Sequence, residues 1–212
     1  VLAILIVYLG RLALVFGTAH RDPAQRRFIL SVLLAFLPAA LLGVALYGVI
    51  KTVLFETPRL IAWMLILGGA GLLVADRLAP APRHDAADRL PLSTSLAIGL
   101  FQCAALVPGV SRSGATIVGA LMLGVSRRAA AEFSFFLSLP TMLGAVGYDL
   151  WRNRDALGAD DAGLIGLGFG AAFVTAVLVV RGLLGFVSRH GFAPFGWWRI
   201  AVGAAALWGL SG

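Results

Sequence analysis

The sequence contains few cysteines, few lysines and few charged residues of either sign. Its 212 residues include a single cysteine, Cys103, so an intrachain disulfide and a metal site built from several thiolates are excluded. Charged residues make up 13% of the chain, which is about half their share in soluble domains. The net charge is +7, but the basic residues are spread between apolar runs. Nucleic-acid binding is therefore not expected, because it favours a concentrated basic patch.

Apolar residues are abundant instead. They make up 60% of the chain, and the mean hydropathy is +0.94, which is too apolar for a soluble domain of this size. The sequence therefore predicts an all-α polytopic membrane protein that lies in a lipid bilayer. About six spans are predicted from the apolar runs 1–16, 28–50, 60–75, 129–150, 162–180 and 195–210. The first run has only 16 residues, so we expect that its helix is cut in this sequence.

Residues 92–125 form a run of a different kind. A polar segment at 108–114 divides this run into two arms, 92–107 and 115–125. As helices the arms would be about 24 Å and about 17 Å long, too short to cross a bilayer core of about 30 Å. The run therefore predicts a re-entrant hairpin with its tip near mid-membrane. This topology puts ten loop arginines on one side and four basic residues on the other, against eight and six for a single crossing. The larger asymmetry is preferred and places the 76–91 loop in the cytoplasm.

The hairpin tip has the composition of an anion site. Residues 108–116 read PGVSRSGAT. Arg112 offers a planar fork of donors that stays charged. The following helix is expected to begin near Gly114, so its first N–H groups point at the same place. Two glycines let the backbone turn and approach a ligand closely: Gly109 and Gly114. Three hydroxyl groups can donate hydrogen bonds to an anion: those of Ser111, Ser113 and Thr116. The alternative is that Arg112 pairs with Glu132 or Asp149 and only holds helices together.

Two further features outside the tip each allow two interpretations. Glu132 lies within a predicted span, where a carboxylate is a functional candidate. Alternatively, it forms an ion pair with Arg127 or Arg128. Gly166 and Gly170 form a G-x-x-x-G pattern, which suits either packing within the chain or a homodimer interface.

The motif at the tip and its surroundings resemble one family. PGVSRSGAT follows Phe-Gln-Cys at 101–103 and precedes Gly-Val-Ser-Arg at 124–127 and Ala-Glu-Phe-Ser-Phe at 131–135. Together these segments resemble the bacterial undecaprenyl-diphosphate phosphatases, the bacitracin-resistance family. The resemblance implies a multi-pass protein of the bacterial plasma membrane, with two re-entrant hairpins in an inverted repeat. It implies hydrolysis of undecaprenyl diphosphate to undecaprenyl phosphate and phosphate, which recycles the lipid carrier of peptidoglycan synthesis and gives bacitracin resistance. It also implies dependence on a divalent cation, Mg or Ca.

The same resemblance implies roles for the residues of this chain. The family's motif maps onto Pro108, Gly109, Ser111, Arg112, Ser113 and Thr116, which implies catalytic roles for Arg112, Ser111 and Ser113 and substrate binding for Gly109 and Thr116. Gly114 is added as a substrate-binding residue because it lets the backbone approach a ligand, and Glu132 as a secondary candidate because it is a carboxylate within a predicted span. The family's first hairpin, which carries paired glutamates and a histidine, has no counterpart within residues 1–212. No metal ligands are therefore expected in this sequence, and residues 1–212 alone are expected to be inactive. The alternative functions are a polyprenyl-phosphate transporter that uses the same anion site and an assembly protein with a vestigial site.

Overall fold

The computed structural model describes residues 2–54, 56–152 and 162–211, and none of these residues lies in a β-strand. Short π and 3₁₀ turns cover Ile50–Leu54, Ala87–Arg89 and Ala104–Leu106. The α-helices are α1 (Leu2–Val7), α2 (Leu9–Thr18), α3 (Pro23–Ala45), α4 (Tyr47–Val49), α5 (Pro58–Leu78), α6 (Leu92–Cys103), α7 (Arg112–Met122), α8 (Arg127–Arg152), α9 (Ala162–His190) and α10 (Ala193–Gly209).

Four of the described helices are long and apolar enough to cross a membrane. They contain residues 23–45, 58–78, 127–148 and 165–187, which confirms the all-α polytopic membrane class. The other two predicted spans consist of shorter helices: the N-terminal segment is broken at Tyr8 between α1 and α2, and α10 has 17 residues. Proline at the first position begins α3 and α5, where its missing N–H costs nothing.

Residues 92–125 form a helix–turn–helix, and the segment before it, at residues 83–84, contacts its last residues. The Arg83 and His84 N–H groups donate to the Gly124 carbonyl at 2.7 and 3.1 Å, and the Ser126 N–H donates to the His84 carbonyl at 2.9 Å. The chain therefore enters α6 and leaves α7 at the same end of the molecule. Between these ends the arms pack closely, because Gly119 of α7 leaves room for the Phe101 ring of α6.

The end of the molecule that carries these hydrogen bonds also gathers other helix ends. Asp76, near the end of α5, accepts a 2.7 Å hydrogen bond from Arg127 Nε at the start of α8. Its second carboxylate oxygen accepts a 3.2 Å hydrogen bond from the Phe192 N–H, between α9 and α10. Residues 76, 83, 84, 127 and 192 therefore lie at one end of the bundle.

Close packing of α5 against α10 brings a second arginine toward the hairpin. A Cβ at Gly69 of α5 would lie 2.6 Å from the Gly196 carbonyl of α10, and a Cβ at Gly203 would lie 2.7 Å from the Ala62 carbonyl. Only glycine allows the two backbones to approach this closely. Arg199, between the two α10 glycines, consequently faces α5 and the hairpin tip.

Candidate active site

The hairpin tip is held against α5 by a glycine with a positive φ angle. Gly109 has φ +91°, a conformation that other residues rarely adopt. A Cβ at this position would overlap the Ile61 carbonyl of α5 and would lie 2.9 Å from Met64 Cβ. The sequence motif therefore places a glycine where the backbone turns and touches its neighbour.

Ser111 begins helix α7. Its hydroxyl oxygen accepts a 3.1 Å hydrogen bond from the Gly114 N–H, the usual action of a serine N-cap. The Ser113 hydroxyl lies 3.2 Å from the Ser111 hydroxyl. The structure thus brings both serines together with the amino-terminal end of α7, whose dipole favours negative charge.

Arg112 is the first residue of α7, and its side chain has an unused donor. The Nη1 atom is buried, and the described residues offer it no hydrogen-bond partner. No ion pair among the described side chains includes Arg112. Pairing with Glu132 is therefore not observed, and the Asp149 side chain lies outside the described residues. A buried guanidinium N–H without a partner favours binding of an anion.

Thr116 lies one turn after Arg112 and joins α7 to α8. It is 1% exposed, and its hydroxyl lies 2.8 Å from the Ser134 hydroxyl of α8. The same oxygen lies 3.1 Å from the Arg112 carbonyl and 3.0 Å from the Ser113 carbonyl. Thr116 therefore fixes the start of α7 against α8.

A cavity of about 300 Å³ lies beside the two serines. Its described wall includes Ser111, Ser113 and Gly114 but not Gly109, Arg112 or Thr116. The remaining wall is mostly apolar: Leu72, Ile117, Ala131, Phe135, Leu183, Val187, Phe192, Phe195 and Trp198, with Ser134 and Arg199 as its other polar members. Such a cavity, polar at one place and apolar elsewhere, suits an amphiphile.

Two of these polar residues, Arg199 and Ser134, were not predicted as site residues. Arg199 Nη2 donates to the Gly109 carbonyl at 2.7 Å. The sequence could have indicated Arg199 as a site residue, because it lies inside the apolar run 195–210 and ionisable residues within spans are functional candidates. Ser134 was part of the quoted motif, but spacing alone does not show that it meets Thr116 across a helix interface.

Glu132 belongs to an ion-pair cluster at the amino-terminal helices. Its carboxylate accepts a hydrogen bond from Arg11 of α2, and Arg11 also lies 3.2 Å from Asp88. The predicted pairs of Glu132 with Arg127 or Arg128 are not observed among the described ion pairs, because Arg127 pairs with Asp76 instead. Helical spacing favoured a local partner, but the nearest guanidinium comes from a different helix.

The described residues do not fit a divalent cation. They contain no group of three histidine, cysteine, aspartate or glutamate side chains close enough to hold a metal ion. Around the tip the described polar groups are hydroxyls and guanidinium donors, which do not replace the carboxylate oxygens that Mg²⁺ and Ca²⁺ prefer. Dependence on Mg or Ca stays a prediction from the resemblance.

These features define an integral membrane protein with a buried cationic site beside a largely apolar cavity. A family model described as "Bacitracin resistance protein BacA" matches residues 1–205. A relative named undecaprenyl-diphosphatase from Cereibacter sphaeroides (strain ATCC 17029 / ATH 2.4.9) is 64% identical over 207 residues, 98% of this chain and 77% of the relative. The chain therefore belongs to the bacitracin resistance protein BacA family.

Two further relatives carry the same name. The undecaprenyl-diphosphatase of Paracoccus denitrificans (strain Pd 1222) is 61% identical over 210 residues, 99% of this chain and 79% of the relative. That of Caulobacter vibrioides (strain NA1000 / CB15N) is 56% identical over 207 residues, 98% of this chain and 78% of the relative. The resemblance inferred from the tip motif is confirmed over nearly the whole chain.

Proposed function

We propose that this protein hydrolyses undecaprenyl diphosphate to undecaprenyl phosphate and inorganic phosphate. The reaction recycles the lipid carrier of peptidoglycan synthesis and gives resistance to bacitracin. Membership of the family supports the activity, and three relatives are named for it. The observation that carries the site is the buried Nη1 of Arg112, which has no partner among the described residues and sits at the capped start of a helix.

The described charges favour a diphosphate as ligand. Arg112 has a buried nitrogen atom without a hydrogen-bond partner among the described residues, and none of the described ion pairs includes its side chain. A buried cation costs free energy unless an anion accompanies it. The diphosphate supplies that charge, and the apolar wall formed by α8, α9 and α10 accepts part of the polyprenyl chain.

Arg112 binds the diphosphate and stabilises the negative charge that develops on the transferred phosphoryl group. The first N–H groups of α7 add partial positive charge at the same place. Ser111 and Ser113 donate hydrogen bonds to phosphate oxygens. A nucleophilic role for either serine is not favoured, because the described cavity wall holds no histidine or carboxylate to act as a base.

In the overall reaction, water attacks the terminal phosphorus of the diphosphate. The bond between this phosphorus and the bridging oxygen breaks, and undecaprenyl phosphate leaves with the bridging oxygen. Thr116 and Gly109 support this reaction by fixing α7 and the tip, and Gly114 lets the ligand approach the backbone. Glu132 acts from further away, by holding α2 against α8 through Arg11.

We expect the two serines to differ in what their loss does. Ser111→Ala removes the cap of α7 as well as a hydroxyl in the cavity, so it is expected to lower both activity and stability, the latter by about 1 kcal/mol. Ser113→Ala removes only a hydroxyl and is expected to lower activity about tenfold with little change in stability. Phosphate release and melting temperature in detergent measure the two effects. Equal loss of stability in both variants would contradict the assigned roles.

The membrane arrangement is part of the proposal. Residues 92–125 enter and leave on one side of the bilayer, which we place in the cytoplasm, and the protein resides in the bacterial plasma membrane. A Cβ at Gly166 or Gly170 would have no neighbour within 4 Å, so packing within the chain does not use this pattern among the described residues. A homodimer stays a prediction, as does the absence of nucleic-acid binding.

A polyprenyl-phosphate transporter is the second candidate. Helix ends that face an anion within the membrane also occur in transporters. Release of phosphate in detergent solution distinguishes the two, because detergent micelles have no two sides between which a lipid could be moved. The full-length protein is expected to release phosphate from undecaprenyl diphosphate under these conditions. Lipid movement across sealed vesicles without phosphate release would favour the transporter. The expected inactivity of residues 1–212 alone stays a prediction that the same assay tests.

A further inference from the structure

Arg199 is the only charged residue of α10, and it lies where a charge is costly. The helix is otherwise apolar, and no described carboxylate forms an ion pair with this guanidinium. Its Nη2 atom instead donates to two backbone carbonyls, that of Gly109 at 2.7 Å and that of Met64 at 3.4 Å. An arginine on an apolar helix whose Nη2 donates to backbone oxygens performs a structural task that an apolar side chain could not perform.

The Gly109 carbonyl at the hairpin tip requires a hydrogen-bond donor, and Arg199 supplies it. Gly109, with φ +91°, lies outside any helix, so no regular helical hydrogen bond reaches its carbonyl. Backbone polar groups away from water must find partners within the protein. The tip is thus fixed on two sides: the α5 backbone at Ile61 lies against Gly109, and Arg199 binds the carbonyl. Ser111 and Arg112 follow Gly109 by two and three residues.

Gly68 of α5 leaves the space that the Arg199 guanidinium occupies. A Cβ at Gly68 would overlap Arg199 Nη2 and would lie 3.2 Å from its Cζ. A methyl group there would therefore push the guanidinium away from the Gly109 carbonyl while leaving its charge intact. Arg199 also lines the cavity of about 300 Å³ and a neighbouring cavity of about 150 Å³, each together with Ser111 and Gly114.

We propose that Arg199 is a positioning residue, which holds the Gly109 carbonyl so that Ser111 and Arg112 are correctly placed for the phosphoryl transfer. This inference rests on the proposed function for its catalytic consequence. The consequence is expected to be large, because small displacements of groups that bind the reacting atoms cost much of the rate.

Three variants of the full-length protein test the inference. Arg199→Met keeps the apolar stem and removes the donors, Arg199→Lys keeps the charge and one donor group, and Gly68→Ala displaces the guanidinium without removing it. Two matched controls carry the same kinds of change elsewhere. Arg59→Met alters an exposed arginine that donates to the Leu210 carbonyl at 3.4 Å, and Gly147→Ala adds a methyl group with nothing within 4 Å.

For Arg199→Met we expect kcat for phosphate release from undecaprenyl diphosphate to fall about 10- to 100-fold, with KM within about threefold of wild type. The melting temperature should stay close to wild type, because replacing a buried charge by an apolar side chain is often neutral for stability. Gly68→Ala should lower kcat similarly, Arg199→Lys should retain more activity than Arg199→Met, and both controls should behave as wild type.

Hydrogen–deuterium exchange at residues 107–114 measures how well the backbone amides of the tip are protected, and it requires no turnover. Faster exchange there in Arg199→Met and Gly68→Ala, and not in the controls, is expected. Unchanged exchange at the tip overturns the inference, as does unchanged kcat in Arg199→Met. A parallel fall of kcat and melting temperature, with faster exchange throughout, also overturns it, because it indicates a general structural role. If the wild-type protein releases no phosphate, the proposed function fails and the exchange result alone decides the inference.

Discussion

Arg112→Ala is expected to lower the rate of phosphate release from undecaprenyl diphosphate by about 10³-fold or more. The magnitude follows from the effect of an arginine that stabilises charge on a transferred phosphoryl group. The guanidinium begins α7, its Nη1 is buried, and none of the described residues accepts its hydrogen. Stability should change little, because the variant removes a buried charge that has no described ion partner.

A lysine at position 112 distinguishes the contribution of the positive charge from that of the planar guanidinium. Arg112→Lys keeps the positive charge but loses the planar fork that matches phosphate oxygens, so it is expected to recover only part of the rate. Arg26→Ala is the matched control, since Arg26 is exposed in the first turn of α3. Phosphate release, kcat, KM and melting temperature are measured for all three variants. An Arg112→Ala protein with wild-type activity would support the hypothesis of a vestigial site and would remove Arg112 from the mechanism.

Gly109→Ala is expected to reduce activity about 100-fold, with a measurable loss of stability. Two costs act together at this position. A non-glycine residue at φ +91° costs about 1–2 kcal/mol, and the added methyl group would overlap the Ile61 carbonyl, a backbone atom that cannot rotate away. The tip must then shift from α5, and Ser111 and Arg112 shift with it, which lowers the rate steeply.

The matched control for this variant is Gly147→Ala in α8. A Cβ there meets nothing within 4 Å, and alanine favours a helix more than glycine does. Its activity and melting temperature should equal or exceed those of wild type. Comparing kcat and melting temperature in Gly109→Ala and Gly147→Ala shows whether a loss comes from the site at position 109 or from replacing any glycine by alanine. A Gly109→Ala protein within about threefold of wild-type kcat would mean that the tip tolerates movement, contrary to the proposed geometry.

Features that depend on neighbouring residues could be predicted from the sequence. The lengths of the arms 92–107 and 115–125 predict two short helices with a turn between them, and the structure has α6 and α7 there; their re-entrant course in the membrane stays a prediction. The start of α7 was predicted near Gly114, but the helix begins two residues earlier at Arg112, because the Ser111 hydroxyl caps it by accepting the Gly114 N–H. Gly109 has the positive φ angle that a glycine in a tight turn predicts. These features follow from backbone geometry within a few residues.

Contacts between distant helices could not be predicted in this way. Arg199 reaches the Gly109 carbonyl across 90 positions, and Glu132 contacts Arg11 across 121. The first depends on how closely α5 and α10 pack, and the second on which helix lies beside α8. Helical spacing gives the face of a residue but not its neighbour, which is why a pair of Glu132 with Arg127 or Arg128 was one of two interpretations, and the structure shows Arg11 as the partner instead.

The most direct measurement is the analysis of both products from undecaprenyl diphosphate incubated with the purified full-length protein in detergent. We expect one undecaprenyl phosphate for each inorganic phosphate, because the proposed step breaks the bond to the terminal phosphorus and leaves the lipid phosphate intact. The Arg112→Ala protein should form neither product at a comparable rate. Release of diphosphate with free undecaprenol, or no product while the lipid crosses sealed vesicles, would contradict the proposed function.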